Sequence, residues 1–227
     1  MGRVLVVVEG ATERAALQQT DVATQCFMLG FSMHPKVVGK PGHKGGVRSF
    51  QRVLPEILAL LKQEPQAKVS TLFDFYALPL AEWPGYPQSA ASPPAQAVVQ
   101  IETGMAAVVA ASLPNLFPGR FVPYVQLFEF EALLFADPSA MAQTFGNPAL
   151  QQSFANIVAT CGGCEAIDGG PTTAPSKRVE ALFPPYKKGG SLNAHAPLIL
   201  GKIARENWQQ LLDGCPRFAQ WLHQLAT

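Results

Sequence analysis

Residues 3–10, Arg3-Val4-Leu5-Val6-Val7-Val8-Glu9-Gly10, decide the fold. Five consecutive apolar residues leave no polar face. A strand here must be buried on both sides, as strands of parallel sheets are. It ends on a carboxylate, and Gly10 offers a tight turn that aims Glu9. Thr12 then stands where a helix N-cap is wanted, for a helix running to about Leu29. Strand, acid, turn and helix in that order form the first half of a βαβ unit.

The same alternation continues along the chain. A weaker strand is predicted at 33–38, followed by the glycine-rich loop 39–46. Residues 49–62 place Val53, Leu54, Ile57, Leu58 and Leu61 at helical spacing. A third strand at 68–73 ends on Asp74. Residues 78–94, rich in Pro, Ser and Ala, read as a long surface insertion. An alanine-rich helix at 96–113 and a fourth strand at 120–127 follow, the latter running into Glu129, Phe130 and Glu131. Four such units imply a parallel sheet with right-handed crossovers. Beyond residue 137 the pattern is helical, at about 148–160, 176–183, 197–206 and 208–225. The expected architecture is therefore an α/β core over residues 1–136, a four-stranded parallel sheet flanked by helices. A helical C-terminal extension over 137–227 packs on it.

Bulk properties narrow the function classes. A net charge of +1 over 227 residues excludes a polybasic nucleic-acid binder, so any nucleic-acid contact comes from local patches. Charged residues are only 15% of the chain, which leaves a bare surface suited to a partner. No apolar run of about 18 residues announces a membrane span, and no signal peptide opens the chain. Four cysteines in a chain of this length are not a secreted disulfide framework. A cytoplasmic protein with reduced thiols and no membrane partner is the expectation.

The acids fall where chemistry is expected. In open parallel sheets ligands bind outside the carboxyl ends of the strands, where strand order reverses. With order 2-1-3-4, strands 1 and 3 meet there, bringing Glu9 and Asp74 together. Glu129 and Glu131 follow strand 4 on the same edge. Such crowded carboxylates repel unless a cation is present. Hard oxygen ligands suit Mg2+ or Mn2+, which also take phosphate oxygens and assist in-line attack on a phosphodiester. The alternatives are ordinary ones. Glu13 reads as a first-turn charge or helix cap, and one of Glu129 and Glu131 as a helix-start residue.

Val8-Glu9-Gly10-Ala11-Thr12-Glu13 with a later Asp74 resembles the Toprim fold of topoisomerases, bacterial primases and overcoming-lysogenisation-defect nucleases. Three further stretches narrow the resemblance: Phe73-Asp74-Phe75-Tyr76-Ala77-Leu78-Pro79, Pro123 to Phe135 with its Glu-Phe-Glu-Ala-Leu-Leu-Phe centre, and Thr173-Ala174-Pro175-Ser176-Lys177-Arg178. Together they are similar to one uncharacterised Toprim-like family, the domain of unknown function 4276, over nearly the whole chain. The resemblance implies a Mg2+- or Mn2+-dependent nuclease or related phosphoryl-transfer enzyme acting on DNA, RNA or a nucleotide. Members are often encoded beside an ATPase, which implies a two-component system of the phage-defence type. Two positions depart from the pattern. Tyr76 stands where Toprim domains carry a second Asp, and Phe128 where the family usually has His. A second ligand must then come from Glu129, Glu131, Glu165 or Asp168. The alternative is a regulatory or binding subunit that keeps the fold and docks on an ATPase.

On this reading Glu9 is a ligand or general base, Asp74 the principal metal ligand, and Glu129 and Glu131 additional ligands. The run 164–178 places Glu165 and Asp168 near two cations, so that Lys177 or Arg178 neutralises a phosphate. The plain alternative is a helix starting at Ser176 with both cations solvated on its first turn. Other signals are weaker. Lys40, His43, Lys44 and Arg48, and separately Lys187 and Lys188, are basic patches without a Walker A ending. Cys161-Gly162-Gly163-Cys164 is half a zinc site with no second half, and its cysteines read as incidental. Trp208, Phe218, Trp221 and Leu222 fit core spacing, and His195 is the one histidine with acid/base interest.

Overall fold

The computed structural model describes residues 1–39, 49–86, 92–187 and 194–227. The basic cluster from Lys40 to Arg48, and Lys188, lie outside the described residues. Strands β1 (Gly2–Val8), β2 (Phe31–Val37), β3 (Lys68–Asp74), β4 (Phe121–Val122) and β5 (Val125–Gln126) form one parallel sheet in the order β2-β1-β3-β4, with β5 also on β3. The order reverses between β1 and β3, as the alternation predicts. The fourth strand is two short pieces because Pro123 offers no N–H to the ladder. Thr71 bridges the gap with its side chain. Its Oγ1 accepts from the Tyr124 N–H and donates to the Tyr124 carbonyl, both at 2.9 Å. The ladder then resumes, with Asp74 opposite Gln126.

Helices cover both faces. They are α1 (Ala11–Leu17), α2 (Thr20–Met28), α3 (Phe50–Gln63), α4 (Pro94–Ser112), α5 (Pro138–Thr144), α6 (Leu150–Cys161), α7 (Pro175–Leu182), α8 (His195–Glu206), α9 (Trp208–Gly214) and α10 (Pro216–Ala226). Leu5 and Val7 pack with Val53 and Ile57 of α3 and with Ile101 and Met105 of α4. Val4, Val6 and Val8 pack instead with Leu17, Val22, Ile199, Ile203 and Trp221. Each such buried side chain stabilises the fold by about 1.5–3 kcal/mol over its exposed state. The C-terminal helices thus share a core with the sheet. α10 is anchored by Trp221, whose Nε1 donates to Ser70 Oγ at 2.8 Å and whose ring stacks on Tyr124 at 4.7 Å.

Several local expectations change. The helix predicted over 12–29 breaks at Gln18 and Gln19, where the Gln19 ψ of 136° leaves the helical region. Gly10, not Thr12, occupies the N-cap position, and its backbone is extended. The glycine is favoured by space: a Cβ there would stand 3.0 Å from Glu13 Oε2. Segment 78–94 is not only surface. Trp83 is buried between Phe50 and Phe73, each 5.6 Å away by ring centroid. Behind it Gly85 lies flat on α4. A Cβ on Gly104 would come within 2.5 Å of the Pro84 carbonyl.

α5 escapes the periodicity but has a local cause. Asp137 Oδ1 accepts the Ala140 N–H, and Pro138 starts the helix. The helix predicted over 208–225 is interrupted at Cys215-Pro216. Among the described residues one helix, α4, is long and apolar enough to cross a membrane by length and composition. Its Val98, Ile101, Met105 and Val109 are buried against the sheet.

Candidate functional site

Strands β1, β3 and β5 each lead into an acid at the carboxyl edge. Glu9 follows β1 and Asp74 closes β3. They meet directly, the Asp74 N–H donating to Glu9 Oε1 at 2.8 Å. Asp74 Oδ1 in turn accepts the Phe130 N–H at 2.8 Å. That amide opens the 3-10 turn Phe130–Ala136, which carries Glu131. Glu129 Oε2 accepts the Ser176 N–H at 2.8 Å, at the start of α7. Glu131 Oε1 accepts the Tyr186 hydroxyl at 2.9 Å. Glu9 is half-buried, while Asp74, Glu129 and Glu131 are buried. Glu13 is buried too, which a solvated first-turn charge would not be.

The arrangement is orienting. A backbone amide or a hydroxyl fixes one oxygen of each of the four acids, and such charge-assisted bonds are short and directional.

Not every predicted residue joins this group. Glu165 is spent on α10: its Oε2 accepts from the Arg217 N–H at 3.0 Å and its Oε1 from the Phe218 N–H at 3.2 Å. Asp168 is an exposed residue 3.7 Å from the Arg178 guanidinium. Arg178 Nε donates to the Thr173 carbonyl at 2.7 Å, which holds loop 168–173 against α7. Lys177 points outward to Glu180 at 3.0 Å. Lys187 is exposed, and His195 packs against Phe145, Phe183 and Tyr186 as part of an aromatic cluster.

Sequence reasoning missed Ser176 and Tyr186 as partners of the acids. The Ala174-Pro175 start of α7 was the available signal for Ser176, because Pro at the first helical position leaves the next amide facing outward from the helix end. The hydroxyl of Tyr186 carried no local signal.

Tyr76 and Phe128 form one structure. Phe128 is the single non-glycine residue of the described chain with positive φ, at 65°. For a bulky side chain this is a strained backbone, of the kind held only where surroundings impose it. Its carbonyl accepts the Tyr76 N–H at 3.0 Å. Both rings lie against Gly169, where a Cβ would come within 2.7 Å of Tyr76 Cδ2 and 3.1 Å of Phe128 Cδ1. Tyr76 remains 48% exposed, so this aromatic stands at the mouth of the acidic edge.

The residues bear on a divalent ion as follows. Among the described residues no three His, Cys, Asp or Glu side chains form a group able to hold a metal ion. A closed three-ligand cage is therefore not built there. Mg2+ has a looser requirement, being commonly bound by one or two carboxylates and completed by water and phosphate; the acids on neighbouring strands that could serve are Glu9 and Asp74.

A family model described as a domain of unknown function (DUF4276) covers residues 8–226. No curated protein and no solved structure matches the chain.

Proposed function

Because this chain belongs to the DUF4276 family, whose description assigns no activity, we propose its function from its own residues: a divalent-cation-dependent phosphodiester hydrolase acting on nucleic acid. The observation that carries the reading is the direct Asp74 to Glu9 contact at the point where strand order reverses, with Glu129 and Glu131 buried close behind. Glu9 and Asp74 would hold Mg2+ or Mn2+, which when bound neutralises phosphate charge and activates water. The chain's own residues do the positioning. The Asp74 amide orients Glu9, the Phe130 amide orients Asp74, and Ser176 and Tyr186 orient Glu129 and Glu131. Arg178 braces loop 168–173, and Lys177 is an exposed cation on the first turns of the same helix. A Toprim-type nuclease working with an ATPase, in a phage-defence role, is the wider form of this reading.

The test is substitution with retained shape. Glu9→Gln and Asp74→Asn keep an acceptor oxygen for their amides. Each is expected to lower Mg2+- or Mn2+-dependent cleavage of DNA or RNA about 100-fold or more, with the thermal midpoint nearly unchanged. Wild-type activity in both variants sinks the assignment.

A second reading is favoured by Tyr76 and Phe128 and by the lack of a three-ligand group among the described residues. Here the chain is a binding or regulatory subunit that docks on an ATPase. Calorimetric titration with Mg2+ or Mn2+ separates the two. Binding heat that disappears in Asp74→Asn supports the enzyme, and no heat at millimolar metal supports the subunit.

A further inference from the structure

Cys164 and Cys215 are distant in sequence and adjacent in space. Cys164 opens the short 3-10 turn Cys164–Ala166 after α6, and Cys215 sits between α9 and α10. Glu165 holds the two segments side by side through the Arg217 and Phe218 amides. A Cβ on Gly214 would lie 3.5 Å from Cys164 Sγ. Both thiols are buried, and Cys215 directly follows Gly214, which puts it on the segment packed against Cys164. Cys164 also lines an open cleft of about 700 Å3 between the Phe130–Ala136 turn, α6 and α9, with Ala136, Val158, Gln209, Asp213 and Gly214 among its walls. The described chain holds all four cysteines as free thiols.

We infer that Cys164 and Cys215 form a reactive dithiol that exchanges with low-molecular-weight disulfides entering through this cleft, to give a Cys164–Cys215 disulfide. The inference is independent of the acidic edge. The two thiols divide the labour. Interaction with Cys215 lowers the Cys164 pKa and so favours its thiolate, while the same interaction, with burial, raises the Cys215 pKa and keeps its proton in place. The Cys164 thiolate attacks one sulfur of a disulfide RSSR. That S–S bond breaks, a mixed disulfide forms, and RS− leaves. With the charge on Cys164 gone, RS− takes the Cys215 proton as RSH. The Cys215 thiolate attacks Cys164 Sγ and expels the second RS−, which takes the proton lost from Cys164. Two thiols are oxidised and one RSSR is reduced to two RSH. Cys161 plays no part: it lies at the end of α6, where Gly162 and Gly163, both at positive φ, turn the chain.

The full chain is incubated, folded, with oxidised glutathione and mapped by mass spectrometry without reduction. The expected product is a Cys164–Cys215 peptide pair lighter by two hydrogens, formed equally in Cys161→Ser. In Cys215→Ser the expected product is glutathione retained on Cys164, because the resolving thiol is missing. Should that variant fail to fold, the wild-type and Cys161→Ser maps decide alone. A Cys161–Cys164 linkage, glutathione on Cys161 only, or oxidation that requires denaturant overturns the inference.

Discussion

The two ends of the sheet use opposite charges on the same kind of target. At the amino edge, cations hold carbonyls. Arg120 donates to the Leu61, Glu64 and Ala67 carbonyls where α3 ends, and Lys68 to the Gln224 and Leu225 carbonyls where α10 ends. At the carboxyl edge, acids hold amides at element starts: Glu129 at α7 and Asp74 at the turn opened by Phe130. α10 is bracketed by both, with Glu165 at its start and Lys68 at its finish. Helices that cross antiparallel to the strands place their positive ends at one edge and their negative ends at the other, so dipole matching accounts for the signs. It does not account for the amounts. Arg120 directs its guanidinium to three carbonyls and leaves balanced structure behind. The opposite edge uses four acids, each fixing a single amide or hydroxyl with one oxygen.

The comparison can be broken at either end. The largest stability effect is expected from Arg120→Ala, which strips three carbonyls of a charged donor and should cost about 3 kcal/mol. Urea denaturation measures it, while Mg2+ titration heat should be unchanged; a changed heat would mean that the two ends are not separable. A smaller effect is a pH dependence at Glu165. Burial raises its carboxyl above the ordinary value of 4.5. The native chain therefore takes up a proton before the unfolded chain does. Stability from this group is full below the ordinary value and is lost as pH rises through the raised one. The stability difference from Glu165→Gln should thus move in favour of the wild type as pH falls from about 7 toward 4.5. Movement the other way would show that the two α10 amides outweigh burial. The smallest effect is expected at Lys177→Ala. Its exposed pair with Glu180 contributes about 0.3 kcal/mol, so denaturation curves should overlay. Any loss of cleavage in that variant would then report on phosphate contact alone.

Much of this was legible before the structure. A strand buried on both faces has no alternation to confuse, and an acid that ends it is conspicuous. Glu9, Asp74, Glu129 and Glu131 could therefore be placed on one edge from order alone. What escaped was whatever depends on long-range partners or on the absence of a strong breaker. Gln18-Gln19 interrupts a helix without Gly or Pro. Trp83 sits in a Pro-rich stretch whose composition suggests surface, yet its neighbours Phe50 and Phe73 lie far away in sequence. Glu165 looked like a ligand beside Asp168, but the amides that claim it belong to α10. The Cys-Gly-Gly-Cys spacing drew attention to Cys161, whereas the segment packed on Cys164 is the one that carries Cys215.

The flat contact between Gly85 and α4 bears on how variation in such a chain should be interpreted. Neither glycine tolerates a side chain: one at 85 would meet the Gln100 carbonyl, and one at 104 the Pro84 carbonyl. Backbone lies on backbone, so no compensating change at a second site can open room. A library of random substitutions would purge positions 85 and 104 as strictly as it purges the acids. Intolerance would then mark two separate places, and only a readout that distinguishes folded protein from working protein would tell the hinge of a clasp from its jewel.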